Sequence, residues 1–303
     1  MRLKTVKVCF FRTFMLVRFA GTGKIMEMQT PYFLSETELN HLKDWFSHYA
    51  RSFYGPDPVI QQAMELKEKH SLRVCDEILR IGRQLGMSQN ALRIAGAMAL
   101  FHDLGRFEQF TRYRTFADNK SENHAQLSVK VLQQQNTLAA LNEETRDLIL
   151  TAISFHNRLN IPDDVNPVCM YFSRLLRDAD KLDIFHVVTS YYDAGPGEKS
   201  SAIELDLPVS PVISDDILAS LRDGRMISMQ QLQSSNDFKL LQMAWIYDIN
   251  FQPAFRIIQE RDYLKKIRNA LPASDRIDQI YDHILSYLKK RSDCSKPPPI
   301  IPV

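Results

Sequence analysis

Apolar residues recur along most of the chain at the three- and four-residue spacing of amphipathic helices. The spacing predicts helices at about 36–53, 70–85, 143–156 and 168–191, and another that follows Ser88. No segment shows the strict alternation of a strand, and the chain has neither an internal repeat nor a glycine-rich phosphate loop. The pattern therefore predicts an all-α fold, an irregular helical bundle.

Local signals place the ends of several of these helices. Ser35 and Glu38 have the spacing of a capping box at a helix start, and Gly86 suits the position after a helix end. Residues 105–120 are polar, aromatic and rich in arginine, so we expect a loop there. A further helix is predicted to begin near Ser121.

The second half of the chain has a looser pattern. Breaks at proline and glycine fill residues 193–215. Helices are predicted to resume at about 215–222, 229–233, 238–249, 253–270 and 274–290. The predicted organisation is a disordered or mis-assigned start at 1–27, a catalytic helical core at 28–192, additional helices packed on it at 193–295, and a proline-rich tail at 296–303.

Composition limits the classes of function. The 303 residues are 45% hydrophobic and 24% charged, with a formal net charge of only +2. The charge balance gives no strong signal for a nucleic-acid partner, and no segment is long and apolar enough to predict a membrane span. Four separated cysteines argue against a disulfide framework and favour a cytoplasmic location. The sequence is compatible with a monomer or a homodimer.

The candidate chemistry comes from histidines and aspartates that continue the apolar faces of predicted helices. Such faces point inward, so these polar side chains are expected to converge inside the bundle, as metal ligands do in other helical bundles. Buried imidazoles and carboxylates are costly without partners. Together they suit one or two divalent ions, namely Mn, Fe, Ni, Co or Zn, with Mg also allowed. The predicted ligands are His70, His102, Asp103, His124, His156 and Asp180.

The order of these residues resembles the signature of the HD superfamily. His70 matches its first histidine, the segment FHDLGR at 101–106 matches its central His-Asp pair, and RDADKLD at 177–183 matches its final aspartate at Asp180. The resemblance covers about residues 68–190. It implies an HD-type helical core and a metal-dependent phosphohydrolase.

Two further histidines extend the resemblance to the subgroups that hold two metals. It implies that one ion is held by His70, His102, Asp103 and Asp180, and a second by Asp103, His124 and His156. The branch of the superfamily that hydrolyses cyclic dinucleotides carries a Gly-Tyr-Pro motif after its fourth histidine. Here His156 is followed by NRLNIP, so the resemblance does not support that substrate.

The resemblance implies hydrolysis of a phosphoester by metal-activated water, with a nucleotide or another small phosphorylated molecule as substrate. Asp103, Arg106 and Lys181 are the predicted catalytic residues. Arg106 and Lys181 are also expected to bind phosphate, and Arg112, Arg114 and Lys120 are weaker candidates. Asp118 or Glu122 is a candidate general acid.

Two other functions remain open at this stage. Some HD-superfamily members use the same six ligands as a di-iron oxygenase, and a non-catalytic ligand-binding protein would retain the fold. The intact ligand set argues against the latter. The remaining histidines have no partner set and are expected to be structural: His41, His48, His186 and His283.

Overall fold

A computed structural model describes residues 30–194, 207–210 and 212–293, together with the backbone of three short strands. These strands, β1 (Val8–Phe11), β2 (Phe14–Val17) and β3 (Met26–Glu27), form an antiparallel sheet in that order. The sheet corrects the expectation that no strand is present. Its strands have two to four residues, too few to show alternation, although aromatic and β-branched residues favour strands. The prediction of a disordered or mis-assigned start falls largely outside the described residues.

Helices make up the other regular structure of the described residues, which confirms the all-α fold class. None of these helices is both long and apolar enough to cross a membrane. The first group contains α1 (Glu36–Arg51), α2 (Pro58–Gln84), α3 (Gln89–Phe101), α4 (Gly105–Tyr113), α5 (His124–Gln134), α6 (Glu143–Phe155) and α7 (Pro167–Asp193). A second group contains α8 (Asp215–Arg222), α9 (Ser235–Ala244), α10 (Gln252–Glu260), α11 (Tyr263–Asn269) and α12 (Asp275–Ser292).

Side-chain caps explain where many of these helices begin. Ser35 and Glu38 form the predicted capping box at the start of α1. Ser88, Asn123 and Asn142 accept hydrogen bonds from backbone N–H groups in the first turns of α3, α5 and α6. Each cap satisfies a donor that has no partner inside the helix.

Three helix boundaries differ from the sequence prediction. Helix α2 begins at Pro58 rather than near His70, because Asp57 caps it and proline suits the first helical position. Helix α4 and a 3₁₀ turn at Asp118–Lys120 replace the loop predicted for 105–120. Helix α5 starts after Asn123 rather than at Ser121.

The second group of helices differs in similar ways. The helix predicted for 253–270 is two helices, since Asp262 has a left-handed backbone (φ 53°) that ends the first. The helix predicted for 238–249 is α9 followed by a 3₁₀ turn, Trp245–Asp248. The helix predicted for 229–233 is only a 3₁₀ turn, Met229–Gln231. Residues 195–206 and 211, and the tail from 294, lie outside the described residues.

Helices α2, α3 and α7 pack against one another at the centre of the bundle. Helix α3 is buried along most of its length, and its alanines let its neighbours approach closely. The second group packs on α7, where the Phe185 and Tyr263 rings are stacked with centroids 5.7 Å apart. This packing places the end of α3 and the middle of α2 and α7 in a common interior.

Candidate metal centre

Four side chains from three elements form the first predicted ligand set. His70 projects from the middle of α2, Asp180 from the middle of α7, and His102 and Asp103 follow directly after α3. The Nε2 atoms of His70 and His102 are 3.2 Å apart, and Asp180 Oδ1 lies 3.2 Å and 3.5 Å from them. Asp103 Oδ2 is 3.5 Å from His70 Nε2 and 3.8 Å from His102 Nε2. The three elements therefore bring ligand atoms of His70, His102 and Asp103 within 4.8 Å of one another and place Asp180 Oδ1 beside both imidazoles.

The second predicted ligand set adjoins the first. His124 is the first residue of α5, and His156 follows directly after α6. Their Nε2 atoms are 3.0 Å apart, and Asp103 Oδ1 is 3.4 Å from His124 Nε2 and 3.7 Å from His156 Nε2. Asp103 thus turns one carboxylate oxygen to each set, which is the arrangement of a bridging ligand.

The Nδ1 atoms of the four histidines all face hydrogen-bond acceptors. His102 Nδ1 is 2.7 Å from the carbonyl of Ala99, and His156 Nδ1 is 2.7 Å from that of Ile153. These carbonyls lie in the last turns of α3 and α6, where helices leave carbonyls without partners. In the other two rings a carboxylate is the acceptor: Asp183 for His70 and Asp118 for His124, each at 2.7 Å.

These contacts test whether the residues fit a cation. With the proton on Nδ1, each ring directs the lone pair of Nε2 into the cluster. Lone pairs that face each other at 3.0–3.2 Å repel unless positive charge lies between them. Two ligands about 2.1 Å from one ion and about 90° apart are separated by about 3.0 Å. The side chains of both sets therefore fit divalent ions.

Electrostatics keeps the carboxylates of the cluster ionised. Burial alone would raise the pKa of Asp103, but the nearby Lys67, His102 and Arg106 hold it well below its usual range. Burial likewise opposes ionisation of Asp180, but its close contacts with His102 and His70 keep its pKa well below the ordinary value. Buried carboxylates that stay ionised create a field that attracts cations.

His124 is held neutral, as a ligand must be. Burial, followed by the charge of Arg106, lowers the pKa of His124 to about 3. For Asp118, burial is outweighed by the hydrogen bond with His124 and by Arg106, which lower its pKa to about 2. Asp118 is therefore a carboxylate at neutral pH, which suits the orientation of His124 and not the role of general acid.

Lys67 is a functional candidate that the sequence analysis missed. Its Nζ lies 2.8 Å from Asp103 Oδ2 and 5.1 Å from the centre of the Phe116 ring. It lies one turn before His70 in α2, so its position would have been evident if the helix had been predicted to begin at Pro58.

Arg106, the first predicted phosphate ligand, is close to both the cluster and its own supporting groups. Its NH2 group lies 3.3 Å from His124 Nε2, and its Nε lies 3.4 Å from Asp103 Oδ1. NH1 donates to Gln109 and to the carbonyl of Phe116. The guanidinium group therefore brings positive charge to the second ligand set from a fixed position.

The other predicted phosphate-binding residues lie outside this cluster. Lys181 forms an ion pair with Asp248 at 2.6 Å. Arg112 pairs with Glu108 and with Glu122, the second acid candidate. Arg114 pairs with Asp57 at 2.8 Å, and Lys120 is exposed on a 3₁₀ turn. The contacts described here do not join these four cations to the six predicted ligand side chains, so their roles in substrate binding stay predictions.

Gly105 allows the His102–Asp103 turn to lie directly against α5. Its N–H donates to Ser128 Oγ at 2.8 Å, and this hydroxyl is 2.9 Å from the carbonyls of both His102 and His124. A Cβ atom at position 105 would lie 2.5 Å from the His124 carbonyl oxygen and 2.7 Å from the Ser128 nitrogen. These are backbone atoms, which cannot rotate away.

Gly105→Ala should therefore destabilise the protein by roughly 1–3 kcal/mol, because α4 and α5 must move apart. Gly96→Ala is the matched control within α3, since its Cβ would meet only Leu79 Cδ2, at 3.9 Å. We expect it to be neutral or to stabilise by up to about 1 kcal/mol through helix propensity. Denaturant unfolding measures both variants, and equal stabilities would contradict the close approach.

His124→Ala should remove the second ion and leave the first, because His124 has no atom in the first ligand set. Metal analysis of the purified variant should fall from two ions per chain to one. His41→Ala, an exposed histidine of α1, is the control and should keep both. An unchanged stoichiometry in the His124 variant would show that this residue is not a ligand.

Comparison with protein families agrees with this geometry. Residues 68–187 match the family model described as the HD domain. All six predicted ligand side chains lie inside the matched range, and Lys67 directly precedes it. Comparisons with curated proteins and with solved structures found no match.

Proposed function

We propose that this chain, whose residues 68–187 form an HD domain, is a metal-dependent hydrolase of a small phosphoester. HD domains are mostly found in metal-dependent phosphohydrolases. The observation that carries the proposal is the position of Asp103, with one oxygen facing each ligand set and two cations, Lys67 and Arg106, beside it.

Each part of the cluster has a task in such a reaction. The six predicted ligands would hold divalent ions, which supply an activated water and neutralise charge on phosphoryl oxygens when bound. The Nδ1 acceptors keep the four rings in the tautomer and orientation that this binding needs. Because the cluster is largely buried, its charges act at low dielectric and are less screened than at the surface.

Lys67 and Arg106 provide the positive charge for the phosphate itself. Lys67 lies beside the first ligand set and Arg106 lies beside the second. A phosphoryl group between them would therefore contact a cation on each side. The Lys67 ammonium is a compact charge on a flexible side chain, whereas the Arg106 guanidinium is fixed by Gln109 and the carbonyl of Phe116. This difference suits Lys67 for contact with the transferred group and Arg106 for orientation.

Hydrolysis by protein loaded separately with Mn, Fe, Co, Ni, Zn or Mg tests the proposal. The substrates are an aryl phosphate monoester, a bis-aryl phosphate diester, nucleotides and sugar phosphates. We expect release of phosphate or aryl alcohol that a chelator abolishes and reloading restores. The monoester and diester rates also assign the substrate class.

The same preparation separates the alternatives. Oxygen consumption by iron-loaded protein, without hydrolysis of any phosphoester, would replace the proposal with a di-iron oxygenase. A fully loaded site with no turnover on the whole panel would favour a ligand-binding protein. Metal content is measured in every sample, so that an inactive protein is distinguished from an unloaded one.

A further inference from the structure

A hydrogen-bonded chain leads from the first ligand set towards the second group of helices. His70 Nδ1 lies 2.7 Å from Asp183 Oδ2, and Arg73 donates to both oxygens of the same carboxylate, from Nε to Oδ1 at 2.5 Å and from NH2 to Oδ2 at 2.9 Å. The Asp183 side chain is 2% exposed and that of Arg73 is 33% exposed. The chain therefore runs from a buried ligand to a guanidinium group that reaches solvent.

The hydrogen-bond partner of His70 Nδ1 differs from the partners of the other three histidines. His102 and His156 contact only backbone carbonyls through Nδ1, which have no ionisable partner. Asp118, which supports His124, is 31% exposed and lies on a 3₁₀ turn. Among the contacts described above, the partner of His70 is the one buried carboxylate that accepts hydrogen bonds from an arginine at both oxygens.

We propose that Arg73 is a positioning residue that sets the metal affinity of the first ligand set through Asp183 and His70. The two-pronged contact of the guanidinium fixes the plane of the Asp183 carboxylate. That plane determines whether Oδ2 can accept the Nδ1 proton of His70, and so whether Nε2 presents a lone pair to the cluster. Arg73 also balances a charge that would otherwise be buried without a cationic partner.

The second group of helices contributes to the surroundings of this chain. A cavity of about 430 Å³ is lined by Arg73 and Asp183 on one side and by Arg261, Tyr263 and Lys266 on the other. Two ion pairs join this region to the first group of helices. Arg261, just before α11, pairs with Glu77 of α2, and Lys266 of α11 pairs with Asp193 of α7. Residues of the second group of helices thus line the same cavity as Arg73 and Asp183.

The inference rests on the metal binding proposed above but not on the reaction catalysed, so its test uses no substrate. Co²⁺ is titrated into protein that carries His124→Ala, in which only the first ligand set remains. Affinity is measured by calorimetry, and coordination is measured by the visible absorption of bound Co²⁺. Arg73→Met is added to this background, with Asp183→Asn as a second variant and Arg73→Lys as the conservative one.

We expect Arg73→Met to weaken Co²⁺ binding by about 10- to 100-fold and to change the absorption spectrum, as loss of a metal ligand's supporting partner does. Asp183→Asn should act at least as strongly, because an amide group facing Nδ1 would favour the tautomer with its proton on Nε2. Arg73→Lys should restore part of the affinity, since it keeps the charge without the two-pronged contact.

Arg80→Met is the matched control. Arg80 lies two turns further along α2 and pairs with Glu260 of α10 at 3.2 Å, so this variant also removes an ion pair between α2 and the second group. It should leave affinity and spectrum unchanged. Co²⁺ binding by Arg73→Met that equals the parent would overturn the inference, whereas a parent that binds no Co²⁺ would contradict the metal site itself.

Discussion

Asp103→Asn is expected to remove metal from both ligand sets and to reduce phosphoester hydrolysis to roughly 10⁻³ of wild type or less. The amide keeps the shape of the side chain but loses the charge that the two sets share. Asp103 Oδ2 faces His70 and Oδ1 faces His124, so a single change acts on both. Lys67 and Arg106 would then face a neutral group, and their charges would repel the incoming ions.

The measurement is metal content per folded chain, followed by hydrolysis at saturating metal. Asp237→Asn is the matched control, because Asp237 is also buried but, among the described residues, accepts hydrogen bonds only from Ser214, just before α8, and from Gln233, just before α9. It should lower stability while retaining the metal and the activity per folded molecule. Normal stoichiometry in Asp103→Asn would show that this carboxylate is not a bridging ligand.

The convergence of the six predicted ligands inside the bundle could be predicted because helical periodicity shows which side of a helix each residue faces. His70 lies four residues before Val74, and Asp180 lies four residues after Leu176, so both were expected on buried faces. Neither periodicity nor composition alone, however, assigns an oxygen or nitrogen to a particular ion. The division of the ligands between two sets came from the family resemblance, and the oxygens of Asp103 face the two sets in the way that division requires.

The supporting residues were harder to predict, because their roles depend on distances between helices. Asp183 lies in the segment RDADKLD, whose sequence does not identify its partners, and the structure shows contacts with both His70 and Arg73. The sequence offered no signal that Asp118 would face His124, since a helix was not expected in 105–120. Lys181 follows Asp180 directly, yet neighbours in a helix point about 100° apart, and Lys181 pairs with Asp248 instead.

Lys67→Met is expected to lower kcat/KM for phosphoester hydrolysis by about 10²- to 10³-fold while leaving two ions bound. The Lys67 side chain is only 16% exposed, and its ammonium group lies 2.8 Å from Asp103 Oδ2. A cation at that position stabilises negative charge that increases on the phosphoryl oxygens in the transition state. Methionine retains most of the length of the side chain and removes the charge, so packing against Phe116 is largely preserved.

Lys69→Met is the control on the same helix, since Lys69 is 64% exposed and forms an ion pair with Glu65 at the surface. Its activity should equal that of wild type. The effect on Lys67→Met is expected mainly in kcat, because an interaction that strengthens as charge develops contributes more to the transition state than to binding of the ground state. Full activity would remove Lys67 from the mechanism. Joint loss of metal and activity would show that Lys67 instead holds Asp103 in place. The ammonium group would then be needed for metal binding itself, before any substrate binds.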